Sequence, residues 1–222
     1  PVSIKIVPDM YEAVTGQVKM SILHGIALID VNPDILTEYQ RFIKRGLDII
    51  VAIGAIIITF PLAIISALLI KIDSSGNVFY IQERCGKDLK RFRLIKFRTM
   101  KANSESGTGP IWASQDDPRI TKVGRILRKF RLDEIPQLFN VIKGDMSIVG
   151  PRPERLFFVQ KLEKEYPYYN RRFKIRPGVT GWAQVLGEYD TSIANVKQKL
   201  ILDFYYIENI SLLLDFKIML MT

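Results

Sequence analysis

One long apolar run interrupts an otherwise mixed pattern of hydrophobic and polar positions. Residues 49–70 contain no charged side chain, and these 22 residues are enough to cross a bilayer as a helix. The run lies too far from residue 1, and is too long, to be a signal peptide. Ahead of it, apolar residues from Ile35 to Leu47 recur at helical spacing beside Lys44 and Arg45. This pattern predicts an amphipathic helix that leads into the apolar run.

The apolar run has two features that a simple crossing helix does not explain. Pro61 lies near its middle, where proline removes a backbone hydrogen bond. Both flanks are basic, at Arg41, Lys44, Arg45 and Lys71. A crossing helix favours cations on one side. A helix that breaks near Pro61 and returns to the same face explains both features, with Thr59 available to bond a carbonyl that the proline frees. A kinked transmembrane helix and a buried core helix are the alternatives.

The remaining patterns predict a mixed fold. In chain order they indicate strands at 3–7, 26–30, 77–82 and 92–97, a loop at 101–115, a helix beginning at residue 121 or 122, and helices at about 133–142 and 192–221. We therefore predict an α+β protein, in which a re-entrant helix hairpin anchors a small helical domain that carries a short β-hairpin. The predicted parts are a junction at 1–31, the lead-in and membrane helix at 32–72, and the main domain at 73–222.

Charge and composition narrow the chemistry. The formal net charge of +9 suits anionic lipid head groups, phosphorylated substrates or nucleic acid. Cys85 is the one cysteine, so a disulfide framework is excluded and a reducing compartment fits. His24 is the one histidine and lies far from the motif-rich segments, and the sequence has no Walker loop, no Gly-x-Gly-x-x-Gly and no Cys-x-x-Cys. Chemistry is therefore expected from carboxylates and arginines.

Two adjacent carboxylates, Asp133 and Glu134, follow the most basic part of the chain. Residues 119–131 contain six Lys or Arg and no acid. Nearby cations lower the pKa of a carboxyl group, so we expect the pair to be fully ionised. Such a pair suits a carboxylate nucleophile or a divalent cation beside a phosphorylated substrate. The alternative is ordinary N-capping, which would place Asp133 at a helix N-terminus, where free N–H groups also attract phosphate.

Arg152 lies between Pro151 and Pro153. Proline fixes the backbone, so this segment should be stiff and extended and should present the guanidinium to a phosphate at low entropic cost. A polyproline turn at the surface is the alternative interpretation.

These motifs occur together in a recognisable order. They lie at 96–100 (Lys-Phe-Arg-Thr-Met), 117–121, 127–128, 132–138, 140–141, 144–154 and 177–184. In this order they resemble the bacterial sugar transferase family, the monotopic polyprenyl-phosphate phosphoglycosyl transferases. The resemblance covers about residue 43 to the C-terminus. Residues 1–40 resemble the junction that follows an N-terminal region in larger members, and we expect that region, with a short C-terminal tail, to be missing here.

The resemblance implies a reaction and a set of site residues. Family members transfer a sugar phosphate from a nucleotide diphosphate sugar, here expected to be a UDP-sugar, to polyprenyl (undecaprenyl) phosphate, and release UMP. By matching position Asp133 is the covalent nucleophile and a Mg²⁺ ligand, and Glu134 orients or activates the pair. The implied substrate-binding residues are Lys96, Arg98, Arg119, Arg128, Arg152 and Arg176, with Arg172 as a further candidate. The family helix breaks at a Ser-Pro pair, and the pair here is Phe60-Pro61.

The same resemblance implies the setting. The expected location is the bacterial inner membrane, with the catalytic domain on the cytoplasmic face, at the first membrane step of exopolysaccharide, capsule or O-antigen assembly. The expected partners are the UDP-sugar, the polyprenyl phosphate and membrane lipids, with no nucleic acid and a possible homodimer of the full-length protein. The alternatives are a catalytically silent membrane scaffold and an anion- or nucleic-acid-binding protein. The carboxylate pair counts against the first, and the apolar run against the second.

Overall fold

The computed structural model describes residues 4–6, 20–23, 26–31, 36–101, 117–166, 168–187 and 193–222. They belong to two compact units, residues 1–37 and residues 38–222. The first unit contains an antiparallel sheet in the order β1-β3-β2, formed by β1 (Ile4–Ile6), β2 (Met20–Leu23) and β3 (Ile26–Val31). The sequence predicted β1 and β3 and missed β2.

The second unit begins with a single long helix, α1 (Glu38–Asp73), which joins the amphipathic lead-in to the apolar run. Within the described residues it is the one helix long and apolar enough to cross a membrane, judged by length and composition. Of its most apolar 18 residues, 11% are buried, so the core-helix alternative is wrong. Large apolar side chains such as Ile58 and Ile72 are exposed, which is typical of membrane association.

Helix α1 runs continuously through Pro61. The Thr59 hydroxyl donates to the Ala55 carbonyl at 2.7 Å. The carbonyl that loses its N–H partner to the proline is that of Ile57, four residues before it. The expectation that Thr59 compensates for the proline is therefore wrong, because its hydroxyl bonds the carbonyl of Ala55 and not that of Ile57. A hydroxyl bond to the carbonyl four residues earlier often bends a helix slightly.

Both halves of α1 contact the rest of the second unit. In the N-terminal half, Ala52 is fully buried in the largest core cluster, and the Lys44 ammonium lies 2.6 Å from an Asp215 carboxylate oxygen. In the C-terminal half, Ile70 packs in a second cluster with Phe97. At the last residue of the helix, the Asp73 carboxylate accepts a hydrogen bond from the Val123 N–H at 3.2 Å.

A β-hairpin and a short helix build the next layer. Strand β4 (Phe79–Cys85) pairs antiparallel with β5 (Arg91–Phe97), close to the predicted hairpin. Helix α3 (Gln137–Lys143) is attached to β5 by the buried Asn140. Its Oδ1 accepts from the Ile95 N–H at 3.1 Å, and its Nδ2 donates to the Arg93 carbonyl at 2.7 Å. One amide thus satisfies two strand groups that would otherwise be left unpaired inside the protein.

Helix α2 (Lys122–Lys129) has the predicted start, because the Thr121 hydroxyl accepts from the Gly124 N–H at 2.9 Å as an N-cap. The helix predicted at 133–142 is divided instead. A 3₁₀ turn covers Leu132–Glu134, and α3 starts only at Gln137. Pro136 at the N-cap position of α3 explains this division, since proline has no N–H and starts helices more readily than it continues them.

The C-terminal half adds a parallel strand pair and four helices. Strand β6 (Ser147–Val149) pairs with β7 (Gly178–Thr180). The helices are α4 (Leu156–Glu165), α5 (Trp182–Leu186), α6 (Ile193–Glu208) and α7 (Leu212–Met221), with a 3₁₀ turn at Tyr169–Lys174. The helix predicted at 192–221 is therefore two helices, since Ser211 caps a new start by accepting from the Leu214 N–H.

The largest core cluster lies where α1, the hairpin, α3, β6 and the last two helices meet, and it contains Ala52, Leu94, Val141, Val149, Tyr206 and Ile218. The mixed α+β prediction and the short hairpin are confirmed. The loop predicted at 101–115 lies, apart from Lys101, outside the described residues.

Candidate active site

The carboxylate pair lies in the 3₁₀ turn between α2 and α3. Arg131 precedes the turn with φ 53°, a left-handed conformation that ends α2 and reverses the chain. Asp133 is 7% exposed. Glu134 binds Arg152, with 3.1 Å between carboxylate Oε1 and guanidinium Nη2. The N-capping alternative for Asp133 is wrong, because the α-helix that follows begins only at Gln137, with Pro136 as its N-cap.

Burial and repulsion govern the ionisation of Asp133. Burial raises the pKa of Asp133, and the neighbouring Glu134 carboxylate raises it further. Three cations oppose the rise in pKa, namely Lys96, Arg128 and Arg152. The sequence-based prediction of a lowered pKa is therefore wrong, because it counted the cations and could not count the loss of water around a buried carboxylate.

Lys96 is the cation that β5 supplies. Lys96 is partly buried, and its ammonium lies 5.5 Å from the centroid of the Tyr80 ring, on the paired residue of β4. Burial lowers the pKa of Lys96 from 10.5 to about 8, while the charge of Asp133 opposes that change. Near neutral pH this side chain is mostly charged, yet it holds its proton less firmly than a surface lysine.

Arg128 comes from the last turn of α2. Its Nε donates to the Thr99 hydroxyl at 3.0 Å. Helix α2 reaches Thr99 because Gly124 faces it: a Cβ at residue 124 would lie 2.1 Å from the Thr99 carbonyl oxygen. Burial lowers the pKa of Arg128, while Asp133 and then Asp117 raise it. The close helix packing therefore sets how far Arg128 extends toward the carboxylates.

Arg119 lies beside this group but is bound to an acid of its own. Its Nε and Nη2 both contact the buried Asp117 carboxylate, with 2.6 Å for the shorter pair. The hydrogen bonds from Arg119 lower the pKa of Asp117 to about 2. Arg119 thus contributes a nearly neutral ion pair next to Arg128.

Arg152 presents its side chain from the proline-flanked segment, with half of that side chain exposed. The attraction of Glu134 raises the pKa of Arg152. The structure thus brings together five of the predicted residues around one turn: Lys96, Arg128, Asp133, Glu134 and Arg152.

The other predicted arginines have different contacts. Arg98 donates to the carbonyls of Ser74 and Ser75 at 2.7 and 2.8 Å, and so holds the residues just past the end of α1. Arg176 donates to the Gly144 carbonyl at 3.0 Å, behind α3. Arg172 is buried and paired with Asp203 at 2.8 Å, and is considered below. None of these contacts joins a side chain to the carboxylate turn among the described residues.

Sequence reasoning missed a row of polar side chains on β4. The Gln82 amide donates to the Tyr80 hydroxyl at 2.8 Å, and the Arg84 Nη2 donates to Gln82 Oε1 at 2.7 Å. The row begins under Lys96 and ends at Glu154, whose carboxylate is 3.6 Å from Arg84. Alternation along β4 was the available signal, since residues 80, 82 and 84 must share one face of the strand.

Comparison with known proteins gives this group of residues a context. The profile of the bacterial sugar transferase family matches residues 39–222. A UDP-N-acetylgalactosamine-undecaprenyl-phosphate N-acetylgalactosaminephosphotransferase of Aeromonas hydrophila is 44% identical over 97% of this chain and 50% of its own length. A UDP-glucose:undecaprenyl-phosphate glucose-1-phosphate transferase of Escherichia coli K12 is 35% identical over 99% of this chain and 48% of its own length.

A shorter relative aligns over most of its length. The exopolysaccharide production protein PSS of Rhizobium leguminosarum bv. phaseoli is 38% identical over 79% of this chain and 90% of its own length. The chain spans about half the length of the first two relatives. The family match covers the whole of the second unit apart from its first residue, including every residue of the carboxylate turn. The chain therefore belongs to the bacterial sugar transferase family.

Proposed function

We propose that this chain transfers a sugar 1-phosphate from a UDP-sugar to undecaprenyl phosphate, through a covalent intermediate on Asp133. The donor and acceptor classes follow the activities named for the Aeromonas and Escherichia relatives. The observation that carries the proposal is the buried carboxylate turn with three cations around Asp133. That arrangement suits a reaction in which anions must approach a carboxylate nucleophile.

In the first step an Asp133 carboxylate oxygen attacks the phosphorus that carries the sugar. The bond from that phosphorus to the bridging oxygen breaks, and UMP leaves with the electron pair. Burial favours this step, because a poorly hydrated carboxylate is easier to bring to phosphorus, and the raised pKa of Asp133 reflects the same loss of water. Lys96, Arg128 and Arg152 offset the charge of the diphosphate and of the leaving UMP.

In the second step a phosphate oxygen of undecaprenyl phosphate attacks the same phosphorus. The acyl phosphate bond to Asp133 breaks, the carboxylate is regenerated, and the product is an undecaprenyl-diphosphate sugar. Splitting the reaction in this way means that the two anionic substrates never need to meet in one encounter. Glu134 keeps Arg152 in place, as their 3.1 Å ion pair indicates.

Mg²⁺ is the metal that members of this family typically use, and the carboxylate turn fits it. Mg²⁺ binds hard oxygen ligands and usually takes one or two carboxylates together with substrate phosphates. The described residues contain no group of three or more His, Cys, Asp or Glu that could hold a metal on its own. Asp133, and Glu134 beside it, would therefore hold Mg²⁺ together with the donor diphosphate. The charge of Mg²⁺ would there offset the charges of the carboxylates and of the diphosphate.

We further propose that α1 is a re-entrant anchor that keeps the catalytic unit on the cytoplasmic face. A straight helix of its 36 residues would be about 54 Å long. Lys44, in its second turn, and Asp73, its last residue, both contact the rest of the second unit. A helix with both ends on one side of the bilayer accounts for these contacts, and Pro61 is the natural place for it to bend.

Intact-mass measurement tests the proposed chemistry. The chain is mixed with Mg²⁺ and either UDP-glucose or UDP-N-acetylgalactosamine, without a lipid acceptor. The expected result is a gain of one sugar phosphate with one of these donors, which undecaprenyl phosphate then removes. Asp133→Asn should abolish the gain. Glu83→Gln is the matched control, since that acid lies in an exposed pair with Arg91 on the outer face of the hairpin.

Turnover with both substrates, but no adduct with the donor alone, would refute the covalent route in favour of direct transfer. Labelling tests the anchor separately. In a Cys85→Ser background, single cysteines at residues 38 and 72 are exposed to a membrane-impermeant maleimide in vesicles of known orientation. The proposal requires both cysteines to react from the cytoplasmic side, and reaction from opposite sides would refute it.

A further inference from the structure

The segment that presents Arg152 is held by its backbone carbonyls. Each carbonyl from 151 to 154 accepts a hydrogen bond from another part of the fold. The donors are Gly178 N–H to residue 151 at 3.0 Å, Arg172 Nη2 to residue 152 at 3.1 Å, Arg84 Nη1 to residue 153 at 3.1 Å and Cys85 N–H to residue 154 at 2.8 Å. We call these four bonds the carbonyl clamp. Two of its donors are main-chain groups, and two are arginine side chains.

Arg172 is built to hold one position. It is 9% exposed, and its Nη2 contacts both the Arg152 carbonyl and the Asp203 carboxylate, the latter at 2.8 Å. Its Nη1 donates to the Tyr169 hydroxyl at 2.5 Å, and its guanidinium carbon lies 5.1 Å from the centroid of that ring. A buried arginine with an acid and an aromatic ring on its sides has little freedom to move.

Arg84 bonds the carbonyl that follows that of Arg152. Its Nη1 donates to the Pro153 carbonyl, and its Nη2 is bonded to Gln82 in the polar row of β4. Its carboxylate partner is Glu154, at 3.6 Å. The two arginines therefore bond two successive carbonyls. Arg172, from the 3₁₀ turn at Tyr169–Lys174, bonds that of Arg152, and Arg84, from β4, bonds that of Pro153.

We propose that Arg172 and Arg84 are positioning residues, which fix the backbone around Arg152 so that its guanidinium meets the donor diphosphate. This inference rests on the proposed function. Neither side chain needs to touch substrate for this role. The proline-flanked segment has few N–H groups with which to hold itself, so its placement depends on what its carbonyls accept. A misplacement of even one ångström in a group that binds substrate lowers kcat/KM.

Lysine substitutions test the role without removing the buried charge. In Arg172→Lys the ammonium can keep its contact with Asp203 but lacks the planar fork that reaches a second acceptor. The expected result is a fall of about tenfold in kcat/KM for the UDP-sugar, carried mainly by KM, as expected for lost donor binding. Arg84→Lys should also lower kcat/KM for the UDP-sugar. Arg171→Lys is the control, because that arginine makes an exposed pair with Glu208.

A double-mutant cycle separates positioning from a structural role. In an Arg152→Ala background, adding Arg172→Lys should cost less than about twofold in kcat/KM, since its target is gone. An equal loss in both backgrounds would refute the inference, as would a lower unfolding temperature with unchanged KM and kcat. Binding of UDP-glucose and UDP-N-acetylgalactosamine to Asp133→Asn proteins gives a second readout, in which both lysine variants should bind the accepted donor about tenfold more weakly.

The two failures are distinguishable. A wild-type chain that binds neither nucleotide sugar and gains no sugar phosphate contradicts the proposed function, and the inference falls with it. An active wild-type chain whose Arg172→Lys and Arg84→Lys variants match Arg171→Lys contradicts the inference alone.

Discussion

Lys96 gives the sharpest quantitative prediction, because its burial links stability to activity. Burial lowers the pKa of Lys96 from 10.5 to about 8. The folded protein therefore holds this proton less tightly than the unfolded chain, and such a change corresponds to a cost of about 3 kcal/mol in folding free energy while the lysine is charged. The full cost is present below pH 8 and disappears as the pH rises from 8 to 10.5.

Replacing Lys96 with an apolar side chain removes this cost. We expect Lys96→Met to raise the free energy of unfolding at pH 7 by up to about 3 kcal/mol, a figure that already includes the lost attraction between Lys96 and Asp133. The gain over the wild type should shrink at pH 10. Urea denaturation at the two pH values measures both quantities. Lys90→Met, at an exposed position of the same hairpin, should change stability little at either pH.

The same proton should control activity. If charged Lys96 helps to bind the donor diphosphate, kcat/KM of the wild type falls as the pH rises through about 8, the pKa of the free enzyme. Bound phosphate stabilises the ammonium, so the fall in kcat should come at higher pH. Lys96→Met should lose activity at every pH even though it is more stable. A destabilised Lys96→Met protein at pH 7, or a flat kcat/KM profile from pH 7 to 9.5, would refute this reasoning.

Three further substitutions test the scaffold of the site. Gly124→Ala would place a Cβ 2.1 Å from the Thr99 carbonyl oxygen, so displacement of α2 should lower kcat by at least about tenfold while Gly54→Ala, in open space, has no such effect. Lys44→Met leaves the buried Asp215 carboxylate without its cation and should cost about 3 kcal/mol in unfolding free energy, as measured by urea denaturation. Asn140→Leu leaves two backbone groups of β5 without their hydrogen-bond partners and should lower the free energy of unfolding by about 2–4 kcal/mol in a denaturant titration. An unchanged midpoint would contradict the assigned hydrogen bonds.

The sequence predicted those parts of the fold that depend on local pattern. The apolar run, the hairpin and the start of α2 follow from periodicity and capping, which act over a few residues. The lead-in and the apolar run meet without a capping signal between them, which fits the single helix α1 at Glu38–Asp73. The division of the helix expected at 133–142 depends partly on Pro136, which the sequence shows but which the first turn of a helix also tolerates. It depends as well on the left-handed Arg131, which only the packed structure reveals.

The site was predicted unevenly for a related reason. Asp133, Glu134, Lys96, Arg128 and Arg152 were found because each lies in a motif, and the structure places them around one turn. Motifs do not reveal what a side chain contacts. Arg98 matched a motif equally well, yet its guanidinium is bonded to carbonyls beyond α1. The raised pKa of Asp133 was likewise out of reach, since it depends on burial.

The carbonyl clamp has a consequence for how the protein acquires its site. Its donors come from β4, the 3₁₀ turn at Tyr169–Lys174 and β7, so they are separated along the chain by up to 94 residues, from Arg84 to Gly178. Contacts between distant parts of a chain form late in folding, after long loops have closed. A partly synthesised chain that has not yet reached β7 therefore cannot complete the site.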